Sequence, residues 1–516
     1  MRHGLLSLVL LSPLSLLAAE HPAFAGDEAP TPAVPPPATL PPEATELVTE
    51  KPAAAPVSAP TSGWYSGTFF LRDANDDFRL YVQGRVHVDF TSFFGNGVGS
   101  LPPANALKDG FFLRRVRLET AGEFFQRWQW QLSAELSSAS ATDNIGAQNV
   151  TPTCGYNAAG VDTCTNQSSP VEAAIVKPIP TDNFVNFIAD PALNIQVGQY
   201  LLPFTFENRI SDNTTPFMER SLPVRNLGAP TQRDIGGMVW GDVGGGFFGY
   251  SVGVYNGDGP NRPNQDSRFD VYGRVVLHPL AGDGAARWFQ VGLSGRTGSR
   301  DPNVIGYDLP SLTTQSGYAF WKPTYKDSFG RLTHILPSAG QNAAAADVFL
   351  PLDRFDITAE AVLANFQTRE AIDGAQLSPF TQRTGSFSGF SSYVQVGAWV
   401  LGDRSIIGFP GTGKPLHIDL TKPSAVTPGH GVEVLAKWEH LAVDYEGASR
   451  SGVNDKKTPN GTTQVEAFSL GVNYWATKHV RASANYVVNT FPNGSAGSPV
   501  IGNVMHELAA RVGVQF

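Results

Sequence analysis

The sequence predicts an all-β fold: a transmembrane antiparallel β-barrel of about 16 strands. Three observations carry this. Apolar and polar residues alternate with period two in run after run from Arg79 to the terminal Phe516. The links between these runs are alternately short and long. Beyond the N-terminus, no uninterrupted apolar run reaches the roughly 18 residues that a membrane-crossing helix needs.

The first residues read as an export signal. Arg2 and His3 form a basic start, residues 5–19 an apolar stretch, and Ala23-Phe24-Ala25 a small-x-small cleavage site. Residues 1–25 are therefore expected to be a cleaved signal peptide. Residues 26–62 are rich in Pro and Ala and cannot bury a core, which predicts an extended periplasmic linker. The barrel is expected to occupy residues 63–516.

The clearest hairpin is FFLRRVRLETAGEFFQRWQWQLSAEL, residues 111–136. Its second arm sets Trp128, Trp130, Leu132, Ala134 and Leu136 on one face, against Arg127, Gln129, Gln131, Ser133 and Glu135 on the other. Such a ribbon serves a soluble sandwich with the apolar face inward, or a membrane barrel with that face outward. The remaining chain decides between them. Similar runs fall near 79–90, 111–121, 127–136, 171–177, 193–201, 235–242, 247–255, 268–278 and 287–296. They continue near 343–350, 355–366, 390–401, 431–442, 466–475, 479–489 and 505–516.

Short links, such as 121–126, 243–246, 351–354 and 476–478, alternate with long ones, such as 91–110, 137–170, 202–234, 297–342 and 490–504. Outer-membrane barrels put short turns on one side and long loops on the other, and a sandwich has no reason to. Two links, 178–192 and 402–431, are too long for the short side. Aromatic residues gather at strand ends, as in Phe124-Phe125 and Tyr474-Trp475, where an interface girdle needs amphipathic rings. The final run ends in Phe516, like the signal read by the outer-membrane barrel assembly machinery.

Composition agrees. Charged residues are only 16%, with 53 Gly and 32 Phe and a mean hydropathy of -0.13, as expected of strands that are apolar on one side only. A net charge of -9 without any Lys/Arg run argues against nucleic acid as a partner. Cys154 and Cys164 lie in a Gly/Asn/Thr-rich loop and, in an exported chain, are expected to form a disulfide. No metal-ligand spacing, phosphate-binding loop or nucleophile elbow appears, so no catalytic residue, metal or cofactor is assigned.

FFLRRVRLETAG, QVGQYLLPFTFENR with NTTPFMERSL, LGVNYWATKHVRASANYVVN and VQGRVHVDF together resemble the phosphate-selective porin O and P family, from about Leu80 to Phe516. The resemblance implies a trimeric porin of sixteen strands, constricted by an infolded loop and lined with basic residues that pass phosphate or polyphosphate. Arg85 matches an arginine of that pore, and Arg114 and Arg115 match a paired set. The narrowing loop would be residues 203–233. There the family's phosphate-binding lysine is replaced by Asn208, with Arg209 next to it. The family's dense mid-barrel arginine cluster has no good counterpart: Arg296 and Arg300 stand alone before Pro302.

Arginine suits an anion pore, because its planar fork of N–H donors replaces lost water and offsets charge. Parity puts Arg85, Arg115, Arg117 and Glu119 on the lumen face and Arg114 on the lipid side, so that Arg114 either lies near the rim and reaches the interface or is turned by a bulge that shifts the register. Glu207, Arg209, Asp212, Glu219, Arg220, Arg225, Arg233 and Asp234 give the loop a mixed-charge set fit for a constriction. The bland alternative is a solvated wall and a loop held by surface salt bridges.

The expected function is passive diffusion of small anions, phosphate or pyrophosphate foremost, by an outer-membrane homotrimer in contact with lipid. The alternatives are a weakly selective general porin of the same fold, or a barrel serving as adhesin or enzyme. Lys478, in a turn, is expected to influence anion preference less than Arg115 or Arg209.

Overall fold

A computed structural model describes Pro60–Phe516 except residues 66, 96–106, 138–148, 157–161, 170–177, 230, 281–287, 305, 373–382, 409–412, 419–425, 427, 448–457 and 493–502. Sixteen antiparallel strands pair in sequence order, and the last pairs with the first, which closes the sheet. They are β1 Phe78–Phe94, β2 Gly110–Phe124, β3 Trp128–Glu135, β4 Asn183–Asp190, β5 Leu193–Leu201 and β6 Arg233–Val243. Next come β7 Phe248–Tyr255, β8 Asp270–Leu277, β9 Gln290–Arg300, β10 Leu332–Leu352 and β11 Phe355–Ile372. The set ends with β12 Arg383–Leu401, β13 Gly431–Gly447, β14 Gly461–Thr477, β15 Val480–Thr490 and β16 Val504–Gln515.

The barrel is inside out relative to a soluble protein. Val86, Val88, Leu113, Leu118, Leu132 and Val512 are exposed on its outer face, while Arg85, His87, Asp89, Arg117 and Glu119 between them are buried. Burying charge while exposing aliphatic side chains is unfavourable in water and favourable in a bilayer, so the alternation itself selects the lipid-facing side. Exposed rings cluster near the strand ends. Phe78 stacks edge-on to Phe124 at 5.2 Å and Trp128 meets Phe187 at 4.7 Å near the turns, while Phe90 meets Phe111 at 4.9 Å toward the loops. Trp128 faces outward, as the period-two pattern requires.

The fourth strand differs from the one expected. Residues 171–177 lie outside the described residues, and the strand that completes the ring is Asn183–Asp190, within the supposed long link. NFVNFIAD hides its period because both faces carry apolar residues: Val185 looks outward while Phe184 is buried against Tyr200, 6.0 Å away. The link that follows is then only residues 191–192, so this exception to the short-turn rule disappears. The other exception, residues 402–430 between β12 and β13, is real.

β1 has different neighbours along its length. From Arg85 to Phe94 it pairs with β16, whereas Arg79–Val82 pairs with Phe69–Arg72 of an N-terminal hairpin, Ser62–Tyr65 and Thr68–Arg72. The changeover is at Gly84, which exchanges both backbone hydrogen bonds with Phe516 at 2.9 and 3.0 Å. Its Hα side lies under the Phe516 ring, where a Cβ would come within 2.4 Å of Cζ.

Three segments fill the lumen, where the sequence pointed to one. The first is the expected loop between β5 and β6. The second follows β9, where the short strands Leu312–Thr313 and Ala319–Trp321 pack Phe320 and Trp321 into the buried cluster with Leu222, Leu227 and Phe387. The third is the link after β12, whose Leu416 and Ile418 pack on Phe70, Tyr81 and Ala121 at the turn end. Cys154 and Cys164 are directly opposite in a separate hairpin, Asn149–Tyr156 with Asp162–Ser169; their side chains lie outside the described residues.

Candidate functional site

The loop between β5 and β6 crosses the lumen and is tied to both walls. Its neck is closed by Asn208, whose Nδ2 donates to the carbonyls of Leu202 (3.0 Å) and Gln232 (3.4 Å), the two ends of the loop. A short helix, Phe206–Arg209, is capped by Thr205, whose Oγ1 accepts from the Asn208 N–H. Glu207 accepts from the Ser221 N–H at 2.9 Å and its hydroxyl at 2.5 Å, so the carboxylate folds the loop on itself. Burial pushes its pKa above the usual carboxylate range, despite Lys437 and the Ser221 donors. Arg220 donates to the carbonyls of Glu207 (3.1 Å) and Ile210 (2.8 Å). Glu207, Asn208 and Arg220 thus hold the infolded loop together from within.

The other loop charges face the arginine wall. Asp212 accepts from Arg85 and pairs with Arg115 Nε at 2.6 Å, with Arg117 Nη2 3.9 Å away. Glu219 takes both Nε and Nη2 of Arg114, at 2.9 and 3.0 Å, with Arg511 at 3.0 Å, Arg225 at 3.2 Å and Arg115 at 3.7 Å. Burial alone would raise both carboxyls. The surrounding guanidiniums outweigh it, Arg85, Arg115 and Arg117 for Asp212 and Arg114, Arg115 and Arg511 for Glu219, and hold both well below their usual range. Arg225 is further fixed by the Gln315 carbonyl at 2.8 Å, in the second infolded loop.

Arg114 faces the lumen, against strict parity. β1 and β2 shift register between His87/Arg115 and Val88/Leu113, which leaves Arg114 as the extra residue of a bulge. Leu113 and Val116 then point outward on either side, and two consecutive arginines point in. The bulge removes the roughly 2–4 kcal/mol that a charge facing the bilayer midplane would cost.

The opposite wall binds the loop through its backbone. Glu360 accepts from the Glu207 N–H at 2.6 Å and Glu439 from the Leu222 N–H at 2.7 Å. Arg481 and Asn473 donate to the carbonyls of Thr215 (2.7 Å) and Pro216 (2.9 Å). Arg511 and Arg481 were legible as lumen-face residues by parity, but nothing in the sequence joined them to this loop.

Below the constriction, on the turn side, lies a cavity of about 290 Å³. Its wall carries seven cationic side chains, Arg85, Arg117, Arg209, Arg220, Arg233, Lys414 and Lys478, and three carboxylates, Glu119, Asp182 and Asp212. Arg209 donates to the carbonyls of Leu201 (2.6 Å) and Gly413 (3.0 Å), which joins the loop to the link after β12. Burial lowers its pKa to about 10. That link crosses the turn end: Lys414 pairs with Asp242 at the end of β6, and His417 Nδ1 lies 3.0 Å from Glu123 at the end of β2. Lys478, expected to be a bystander, borders the same cavity. Arg296 and Arg300 are elsewhere: both bind Asp270, and they line a separate cavity of about 90 Å³ near the loop end with five aspartates.

Residues 81–320 match the family described as phosphate-selective porin O and P. Over that stretch the chain is similar to this family. This match to a porin family supports an outer-membrane channel and points to a channel rather than an enzyme. Among solved structures the chain is similar to a loop-deletion mutant of OmpT, an outer membrane protein of Vibrio cholerae, at 9% identity and a TM-score of 0.47, covering 86% of this chain and 100% of that one. It is also similar to an anion-selective porin from Comamonas acidovorans, at 11% identity and a TM-score of 0.45, covering 85% and 100%. A third is OmpF of Salmonella typhi, at 10% identity and a TM-score of 0.46, covering 86% and 99%. No curated protein matches.

Proposed function

We propose that this porin gives passive passage to small anions, with inorganic phosphate and pyrophosphate as the best-suited solutes. The observation that carries the reading is the cavity below the constriction, where seven cationic side chains face three carboxylates in a chain of net charge -9. Such a surplus attracts anions and repels cations at close range. Arg85, Arg114, Arg115, Arg117 and Arg209 would supply the N–H donors that replace the solute's water. The turn end would face the periplasm and the long loops the exterior, with the signal peptide removed on export and insertion by the barrel assembly machinery. A homotrimer fits the family, with the exposed apolar belt shared between neighbouring copies and lipid.

A second reading, a general porin of weak selectivity, draws support from the pairing of the wall arginines with Asp212 and Glu219. Reversal potentials across planar bilayers in a salt gradient separate the two. Anion preference together with current block by inorganic phosphate is expected. Cation preference would refute the anion reading, and a large, unblocked, unselective conductance would leave the second.

A further inference from the structure

The arginine wall is already occupied. Asp212 lies within ion-pair distance of Arg85, Arg115 and Arg117, and Glu219 of Arg114, Arg115, Arg225 and Arg511. Arg115 touches both carboxylates, so the two sites are consecutive steps sharing one rung. A carboxylate set among three or four guanidiniums stands where those guanidiniums would hold the oxygens of a passing oxyanion. Donor capacity is left over, since Arg85 Nε and Arg115 Nη1 are buried without a hydrogen-bond partner. A tetrahedral oxyanion, with more oxygens and more charge than a carboxylate, can take up these N–H groups as well.

We propose that Asp212 and Glu219 are built-in counter-ions, displaced in turn by a permeating oxyanion, and that they set the affinity of the pore low enough for release. The inference rests on the anion reading above. Both carboxyls are held well below their ordinary range, so they are charged competitors at neutral pH. The Asp212 side chain can yield without undocking the loop. Its flanks are held from elsewhere, Ile210 by Arg220 and Thr215 and Pro216 by Arg481 and Asn473. Around Asp212, the Thr214 and Thr215 N–H groups bond only back to Ser211, a self-contained turn. A counter-ion that leaves and returns would keep the arginines solvated between anions and hasten each departure.

The test is phosphate block of chloride current through the full-length porin in planar bilayers, wild type against Asp212→Asn. A competitor tethered on a short segment acts at millimolar effective concentration, so its removal is expected to lower the half-blocking phosphate concentration by about tenfold. The salt-gradient reversal potential of the variant should stay anionic. An unchanged half-block in Asp212→Asn, with an anion-selective wild type, overturns the proposal and leaves the anion reading intact. A wild type without anion preference removes the reading and the proposal together. If Asp212→Asn gives no folded barrel, Glu219→Gln at the second step carries the same expectation and the same refutation.

Discussion

Lys478→Glu puts a carboxylate into a two-residue turn that the sequence places outside the pore, yet the side chain borders the basic cavity. A volume of about 290 Å³ corresponds to a radius of about 4 Å, so an ion inside sits roughly 6 Å from a wall charge. In water, one unit charge at that distance is worth about 0.7 kcal/mol, reduced to about 0.4 kcal/mol by screening at ~0.1 M salt. Reversal removes one such term and adds its opposite, about 0.8 kcal/mol against an anion and as much in favour of a cation, or roughly a fifteenfold fall in anion-to-cation permeability. This is a floor, because protein walls of lower dielectric strengthen the effect. The assay is the reversal potential in a KCl gradient, with Arg268→Glu on an exposed loop as the control. A shift no larger than the control would show that the cavity is off the conduction path and would remove the charge count as support for anion passage.

Other consequences are equally direct. Asn208→Ala leaves the carbonyls of Leu202 and Gln232 unsatisfied at the neck of the loop and should cost about 1–3 kcal/mol, read as a lower thermal transition of the folded barrel and noisier open-channel current. Asp212 and Glu219 have folded pKa values far below their ordinary 3.8 and 4.5, so their contribution is complete above those values and is lost only as pH falls through the depressed ones. Whatever part of an acid transition in conductance is removed by Asp212→Asn or Glu219→Gln should therefore lie below about pH 4.5; a transition near pH 6 that these substitutions abolish would contradict the pairing. Cys154 and Cys164 are opposed in an antiparallel hairpin, a spacing compatible with a disulfide, so non-reduced protein should resist alkylation. Replacing both by Ser should leave the barrel folded, since that hairpin is a separate sheet.

The wall was legible and the filling was not. Period two is a local property, and where lipid meets one face and charge the other, as along Arg79–Asp89, it reads directly from the chain. It failed at Asn183–Asp190, because the inward Phe184 is itself apolar and packs on Tyr200 of β5, so the contrast between faces is lost. Parity put Arg85, Arg115 and Arg117 on the face that is buried, and left Arg114 open between rim and bulge, because a bulge leaves no mark in a sequence already rich in arginine. The role of Asn208 was out of reach. Its partners, Leu202 and Gln232, meet only after the loop has folded. Likewise Lys414, Lys478 and Arg209 come together across more than two hundred positions, through contacts that no local pattern records.

The seam between β16 and β1 has a consequence for assembly. The two backbone hydrogen bonds between Phe516 and Gly84 extend a pairing that runs from Arg85 to Phe94 of β1. A barrel without β16 would have two open sheet edges, on β1 and β15, whose N–H and C=O groups find no partner in hydrocarbon. The bilayer thus acts as a proofreader of closure: a sheet that lacks its sixteenth strand cannot complete the cylinder and has no stable place in the membrane. The ring of Phe516 over the bare backbone of Gly84 seals the turn end of that seam.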